Sequence, residues 1–383
     1  MTAIGVVVCG ILPVLLTGAL AVQMQPDLDF TASGVGLGTA AFFATGAVTS
    51  VLLGRLVDVL GSRRGLRVAA LCAAASLLGI GLFAGSLMHL VALLGLGGIA
   101  NALAHPAANR TLLRNVSGRQ GLVFGMKQAA IPMGSLLGGM SVPLVALTVG
   151  WRWAFVGAGL LALVMAVGVP RSTHAIARSR SGSDDTGKGA VRPLRPLVLI
   201  AVAAGCGALA SNSVAAFLTL SNVDAGLSEG AAGLLLSASS LGGLLVRVGA
   251  GWGADKHQGI RRFGVPVLLV LGGVGMLALT IPTPAALIAG SLLSFAAGWG
   301  WPGLFNLMLS RARPDAPAAA TGIGLTGVYL GAALGPLGFG ALADTYSFEI
   351  AWIAAAATTL LGAGMMLGGT RLLEAAPRSR TDA

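Results

Sequence analysis

Gly54-Arg55-Leu56-Val57-Asp58 and Gly251-Trp252-Gly253-Ala254-Asp255 carry the same G-x-x-x-D pattern, 197 residues apart (251 − 54), and each closes a long apolar run that a basic cluster follows. A pattern repeated across half a chain points to two related halves. The surroundings say where those halves sit. The chain is 55% hydrophobic and 10% charged, with a mean hydropathy of +0.87, whereas a soluble domain carries about a quarter charged residues. Most of its surface must face lipid.

Working outward from the two motifs, the apolar runs near the length of about 20 residues that spans a bilayer number twelve. They fall near 4–24, 34–54, 66–86, 88–109, 122–147, 153–169, 197–220, 230–251, 264–281, 285–309, 319–342 and 350–370. Six lie on each side of a polar segment. The expected architecture is an all-α membrane protein of twelve transmembrane helices in two pseudo-symmetric six-helix bundles, 1–169 and 197–373, joined by a linker over 170–196 and ending in a tail, 374–383. The linker holds Arg171, Arg178, Arg180, Asp184, Asp185 and Lys188 among Ser and Gly, a flexible, hydrophilic composition.

Lys and Arg collect on the cytoplasmic side of a membrane protein. Of the 24 here, all but Lys127, Arg152 and Arg247 fall in alternate loops, 55–67, 110–119, 171–195, 256–262 and 311–313, and in the tail from Arg371. The opposite loops carry Asp27, Asp29, Asp224, Glu229, Asp344 and Glu349. Both termini and the linker are therefore expected in the cytoplasm, and the protein in an inner membrane as a multi-pass monomer. The net charge of +11 lies beside anionic headgroups and gives no reason to expect nucleic acid. Ala19-Leu20-Ala21 resembles a signal-peptidase site, but no basic region precedes it and its removal would leave one half a helix short. The few residues ahead of Ile4 suggest a shortened start. Cys9, Cys72 and Cys206 are odd in number and scattered through apolar runs, a packing pattern rather than a disulfide framework or metal site.

Over essentially the whole chain these residues resemble the major facilitator superfamily. Gly54-x-x-x-Asp58-x-x-Gly61-x-Arg63-Arg64 is similar to that family's loop motif between helices 2 and 3, with Val59 where a basic residue is usual. The copy from Gly251 to Asp255 is looser, since Gly259 sits one residue late before Arg261 and Arg262. Gly125 through Gly134-Ser135-Leu136-Leu137-Gly138-Gly139 resembles the helix-5 motif of drug/proton exchangers, but Ser135 replaces a proline. Leu94 stands about where the family's common helix-4 arginine would fall. Arg247-Val248-Gly249-Ala250-Gly251-Trp252 followed by Asp255 resembles the helix-8 segment of the oxalate/formate, monocarboxylate and cyanate branches, and the resemblance implies an arginine that binds the substrate anion.

The loop motif also has a physical reading of its own. Asp58, at a helix end in the headgroup zone, can accept hydrogen bonds from a neighbouring helix N-terminus and pair with Arg63 or Arg64 when the halves approach. Gly54, Asp58, Gly61, Arg63, Arg64, Gly251 and Asp255 thus form a candidate conformational latch; the bland account is topology set by positive charge alone. Small-x-x-x-small runs such as Gly134–Gly138, Gly331–Gly335 and Gly338–Leu342 suit close helix packing. Gly335-Pro336 and Pro132 are candidate helix bends.

No Asp or Glu falls in the apolar core of any expected helix. Arg152, between Trp151 and Trp153, can snorkel to headgroups. Arg247 lies eight residues before Asp255, about 12 Å of helix rise, and Lys127 six beyond Gly121, about 9 Å. Buried cations usually face a cavity, so their natural counter-charge is an anionic substrate. The competing accounts are an Arg247 bonded to backbone carbonyls and a Lys127 that snorkels. Asn101, His105 and Asn109 share a face of helix 4, Ser211, Asn212 and Ser213 mark the middle of helix 7, and Asn306 the inner part of helix 10. The resemblance implies that helices 1, 4, 7 and 10 line the cavity, which makes these residues and Gln128 substrate-binding candidates, with His105 a candidate proton carrier. Interhelical hydrogen bonding is the structural alternative.

There is no nucleophile–base constellation, phosphate-cradling loop or ATP-binding domain, so neither an enzyme nor a cofactor is expected. The resulting expectation is a secondary active transporter of a small organic or inorganic anion, driven by a proton or an exchanged solute. Efflux of a neutral or amphipathic compound is the alternative, and a substrate-sensing receptor a third class.

Overall fold

In the computed structural model the structure describes residues 2–115, 128–169, 194–312 and 317–375, and they are almost entirely helical. α1 covers Thr2–Ala19 and resumes as Ala21–Leu28 after a break at Leu20. α2 and α3 are the two arms, 32–60 and 62–83, of one helical stretch, Ala32–Phe83. At 1.5 Å per residue that stretch would reach about 78 Å if straight, over twice the ~30 Å hydrocarbon thickness, so it must fold back. Gly61 is where it does, at φ 80° and ψ 157°, a backbone region open essentially to glycine alone.

α4 is Leu87–Asn115. α5 comprises Ala130–Ser141, a π-helical turn at Val142–Ala146 and Leu147–Val149. α6 is Trp151–Val167. The second half repeats the plan with α7 (Leu194–Asp224), α8 (Glu229–Lys256) and α9 (Gln258–Ala278). α10 is broken into Pro284–Gly298 and Pro302–Ala312, and α11 (Pro317–Thr345) and α12 (Phe348–Ala375) complete the set. α7 starts inside the expected linker, because Pro196 falls in its first turn, where no helical N–H partner is needed. Among the described residues, departures from α-helical bonding inside the expected spans fall at Leu20, Ala129, Val142–Ala146 and Trp299–Trp301, whereas Pro336 lies within an unbroken α11.

Glycine sets how close the helices come. Gly327, Gly331 and Gly335 of α11 lie against the carbonyls of Ala201, Gly205 and Leu209 of α7, and a methyl group on any of the three would collide. In the related pair of the first half, α5 on α1, Gly138 lies close to the Leu15 carbonyl and Ala19, and Gly134 to the Leu15 side chain. Without a hydrophobic drive between helices in lipid, this backbone-to-backbone approach supplies the packing.

Among the described residues, the buried core is shared by the two halves at one end and divided between them at the other. One buried apolar core runs through both halves at the end where α1 finishes and α8 begins, from Leu28, Phe30 and Val35 to Phe217, Phe339 and Trp352. At the opposite end there are two cores, one per half: Val6, Val57, Leu66 and Ala107 in the first, and Leu197, Leu269, Phe305 and Met366 in the second. At the joined end Gly340 of α11 presses on Ala32 of α2, and Gly139 of α5 on Gly233 of α8. At the far end a methyl on Gly54, Gly249, Gly251 or Gly322 would touch nothing within 4 Å.

Candidate functional site

Two cavities lie on the seam between the halves. The larger, about 230 Å³, opens between α2, α4 and α11 toward the separated end and is walled by Phe42, Phe43, Ser50, Gly54, Asn101, His105, Asn109 and Tyr329, among others. The four-residue spacing of Asn101, His105 and Asn109 places all three along this one wall. Asn101 Oδ1 is buried without a hydrogen-bond partner. The smaller cavity, about 40 Å³, lies deeper, between α1, α2, α5, α7 and α10. Its walls are apolar, Ile11, Val14, Leu15, Phe43, Ile131, Ala215, Ala216 and Trp299, apart from Thr39 and Asn212. Asn212 donates from Nδ2 to the Ala208 carbonyl at 2.8 Å.

Beside the smaller cavity stands Arg247. Its Nε donates to the carbonyl of Trp299 at 2.8 Å, and its Nη1 to the carbonyl of Gln128, in the other half, at 2.6 Å. The guanidinium carbon lies 5.5 Å from the Trp299 ring centroid, within cation–π range. Nη2 is buried with no hydrogen-bond partner. The arginine expected to meet an anion therefore spends two of its nitrogens on backbone carbonyls and holds one in reserve. Lys127 lies outside the described residues. Gln128 is present through its carbonyl, and Asn306, whose Oδ1 is buried and unpartnered, lines neither cavity.

What frees the Trp299 carbonyl is the gap in α10. The Trp299-Gly300-Trp301 turn leaves carbonyls without helical partners, and side chains take them up. Ser211 Oγ donates to Gly298 O, Trp299 Nε1 donates to Ser211 O, and Trp301 Nε1 donates to Ser211 Oγ at 3.2 Å. This α7–α10 cluster was missed in the sequence, where 285–309 reads as one apolar run. The Trp-Gly-Trp triplet was the available signal, an interrupted hydrophobic segment of the kind that marks binding sites in carriers.

The candidate latch residues all lie at the separated end, on the α2–α3 turn and the last turn of α8. Asp58, at the separated end, is ion-paired with Arg110 of α4, which also donates to the carbonyl of Val57 at 3.2 Å. Arg110 was not among the expected partners, because the sequence gives no means of seeing that α4 ends beside α2. Arg63 and Arg64 begin α3 just past Gly61, and Gly251 faces open space. The side chain of Asp255 lies outside the described residues. The interaction foreseen for Asp58, a carboxylate on a neighbouring helix N-terminus, occurs at the joined end. There Asp344 of α11 accepts from Thr31 Oγ1 at 2.5 Å, the Ala32 N–H at 3.0 Å and the Ser33 N–H at 2.8 Å, capping α2 of the other half. Gln23 Nε2 donates to Glu229 Oε2 at 2.7 Å across the same seam. Arg152 rests 4.5 Å from the Trp151 ring centroid, and Trp151 Nε1 donates to Asp27 at 2.9 Å, so this outer cation is held at the surface.

Two six-helix bundles that enclose a cavity on their seam, closed at one end by capped helices, make a membrane transporter and not an enzyme. The chain belongs to the Major Facilitator Superfamily, whose family profile matches residues 2–258 and 198–382. Among solved structures it is similar to a bacterial homologue of the human lysosomal transporter Spinster in an inward-facing, occupied conformation, with a TM-score of 0.77 and 15% identity over 97% of this chain and 96% of that one. The inward-facing, unoccupied form of that homologue gives the same score and identity over 99% and 98%. The nucleoside transporter NupG follows at 0.71 and 15%, over 97% and 99%. At these identities the likeness is one of fold. No curated protein sequence matches the chain.

Proposed function

We propose that the protein is a secondary carrier working by alternating access and that its substrate is a small organic anion with an apolar body. The observation that supports this is Arg247. A guanidinium facing two carbonyl dipoles, with Nη2 buried and unpartnered, is a desolvated charge short of a counter-charge, an expensive arrangement unless an anion completes it. The apolar walls of the adjacent cavity suit the rest of such a molecule. In the same reading residues 1–169 and 197–373 are the rocking units and 170–196 their linker. Both termini and the separated end face the cytoplasm across an inner membrane, following the Lys and Arg of the alternate loops. A coupling proton or exchanged solute supplies the energy.

A second reading, carriage of a neutral or amphipathic compound, is favoured by the two Arg247 nitrogens already engaged with carbonyls and by the apolar chamber. Thermal-shift measurements on purified protein with small carboxylates, inorganic anions and lipophilic cations separate the two. Carboxylates should raise the Tm of the wild type, raise that of Arg247→Lys less, since a lysine lacks the planar fork, and leave Arg247→Ala unmoved. If Arg247→Ala melts earlier yet keeps the full carboxylate shift, the arginine is structural and the neutral-compound reading replaces the anionic one.

A further inference from the structure

One residue, Phe43, lines both cavities. The larger cavity, the vestibule, also carries Asn101, His105 and Asn109, and the smaller, apolar chamber carries Asn212 and Trp299. Volume decides what each can hold. A cavity needs roughly 10–15 Å³ to admit a water, and small-molecule sites run from about 300 Å³. The 40 Å³ chamber holds a few waters and no organic substrate, while the 230 Å³ vestibule approaches substrate size but lies away from the Trp299 wall beside which Arg247 is bonded. A substrate can engage both the vestibule and the Trp299 wall only if Phe43 moves.

We propose that Phe43 is the inner gate and size selector of the carrier, a swinging partition whose rotation merges vestibule and chamber into one site. Its neighbours allow the motion. Phe43 is only partly buried, whereas the adjacent Phe42 is fully buried, and the two rings meet edge to face with centroids 5.2 Å apart, so Phe42 serves as a fixed stop. Phe42 is itself pinned where Gly98 of α4 abuts its carbonyl. A substrate would first meet hydrogen-bonding groups in the vestibule, including the unpartnered Asn101 Oδ1, and then displace Phe43 to reach the Trp299 wall. This rests on the alternating-access reading but not on the charge of the substrate.

The test needs no substrate, so its failure is distinct from a failure of the anion assignment. With Cys9, Cys72 and Cys206 replaced by alanine, single cysteines are introduced as Ser50→Cys in the vestibule and Asn212→Cys in the chamber. Each is labelled with the water-soluble reagent sulfonatoethyl methanethiosulfonate. With Phe43 present, Asn212→Cys should react at least about tenfold more slowly than Ser50→Cys, the factor that 1.4 kcal/mol of gating free energy gives. Phe43→Ala should remove most of that difference by accelerating Asn212→Cys while leaving Ser50→Cys unchanged. Phe43→Leu, which keeps apolar bulk and serves as the folding control, should give an intermediate rate. Equal rates at the two cysteines with Phe43 in place, or a slow chamber cysteine that Phe43→Ala and Phe43→Leu fail to accelerate, would overturn the proposal.

Discussion

At the scale of the residue, Arg247 shows what a sequence can say about a buried charge and where it stops. Its depth, and the lack of an acidic residue at that depth, are countable from the chain. Its partners are not, because the Trp299 carbonyl is available only through the gap in α10 and the Gln128 carbonyl only through the packing of α5 against α8. Gly61 is the opposite case. The loop motif marks it, and its backbone explains it, since φ 80° with ψ 157° excludes a side chain at a cost of order 1–3 kcal/mol. Nothing crowds the position, as a methyl there would meet no atom within 4 Å. Gly61→Ala should therefore lower the Tm of the purified carrier purely through the backbone, and Gly54→Ala, which has equal space and helical geometry, should not. A Gly61→Ala protein that melts with the wild type would remove the conformational account of this glycine.

At the scale of the element, helix count and the contacts of Gly134, Gly138, Gly331 and Gly335 were legible, because apolar length and small-residue spacing are local properties, whereas the run from Gly338 marks no contact, since a methyl there would meet nothing within 4 Å. The α2–α3 reversal was legible too, from the polar cluster around Asp58. The break in α10 was not, since tryptophan and glycine both read as membrane residues and the carbonyls the break exposes are satisfied by a different helix. Ser211 is the critical partner, joining Gly298, Trp299 and Trp301 to α7. Ser211→Ala keeps the backbone carbonyl that Trp299 uses but strands the Gly298 carbonyl and the Trp301 indole. Leaving buried polar groups unsatisfied costs about 1–3 kcal/mol each. The variant should lose thermal stability by several degrees, and the emission of the buried tryptophans should shift to the red as water reaches the gap. A stable variant with unshifted emission would mean that the break is held by other contacts.

At the scale of the whole molecule, the two aspartates that bear on closure act at opposite ends and on opposite states. Asp344 belongs to the state observed, where it caps α2 of the other half with three hydrogen bonds. Asp58 here pairs with Arg110 inside its own half, an exposed pair worth about 0–1 kcal/mol, and so remains available for contacts made only when the separated end closes. The sequence located Asp58 by its motif but passed over Asp344, because a lone acidic residue at a helix end becomes a latch only when a helix N-terminus from the other half is set against it. Charge-assisted hydrogen bonds contribute about 1.5–3 kcal/mol, and 1.4 kcal/mol is a factor of ten in a population. Asp344→Asn keeps the shape and loses the charge, so it should move the equilibrium toward closure of the Asp58 end by about tenfold. Asp58→Asn should move it the other way and slow transport without loss of folded protein. Spin labels at Val59→Cys on α2 and Lys256→Cys on α8, both exposed at the separated end, read the distance between the halves. The short-distance fraction should rise in Asp344→Asn, fall in Asp58→Asn and return near the wild-type value in the double variant, since the two sites share no contact and their effects should add. Shifts of the same sign in both single variants would show that neither carboxylate is selective for one end of the carrier, and Asp58 would revert to a residue of topology alone.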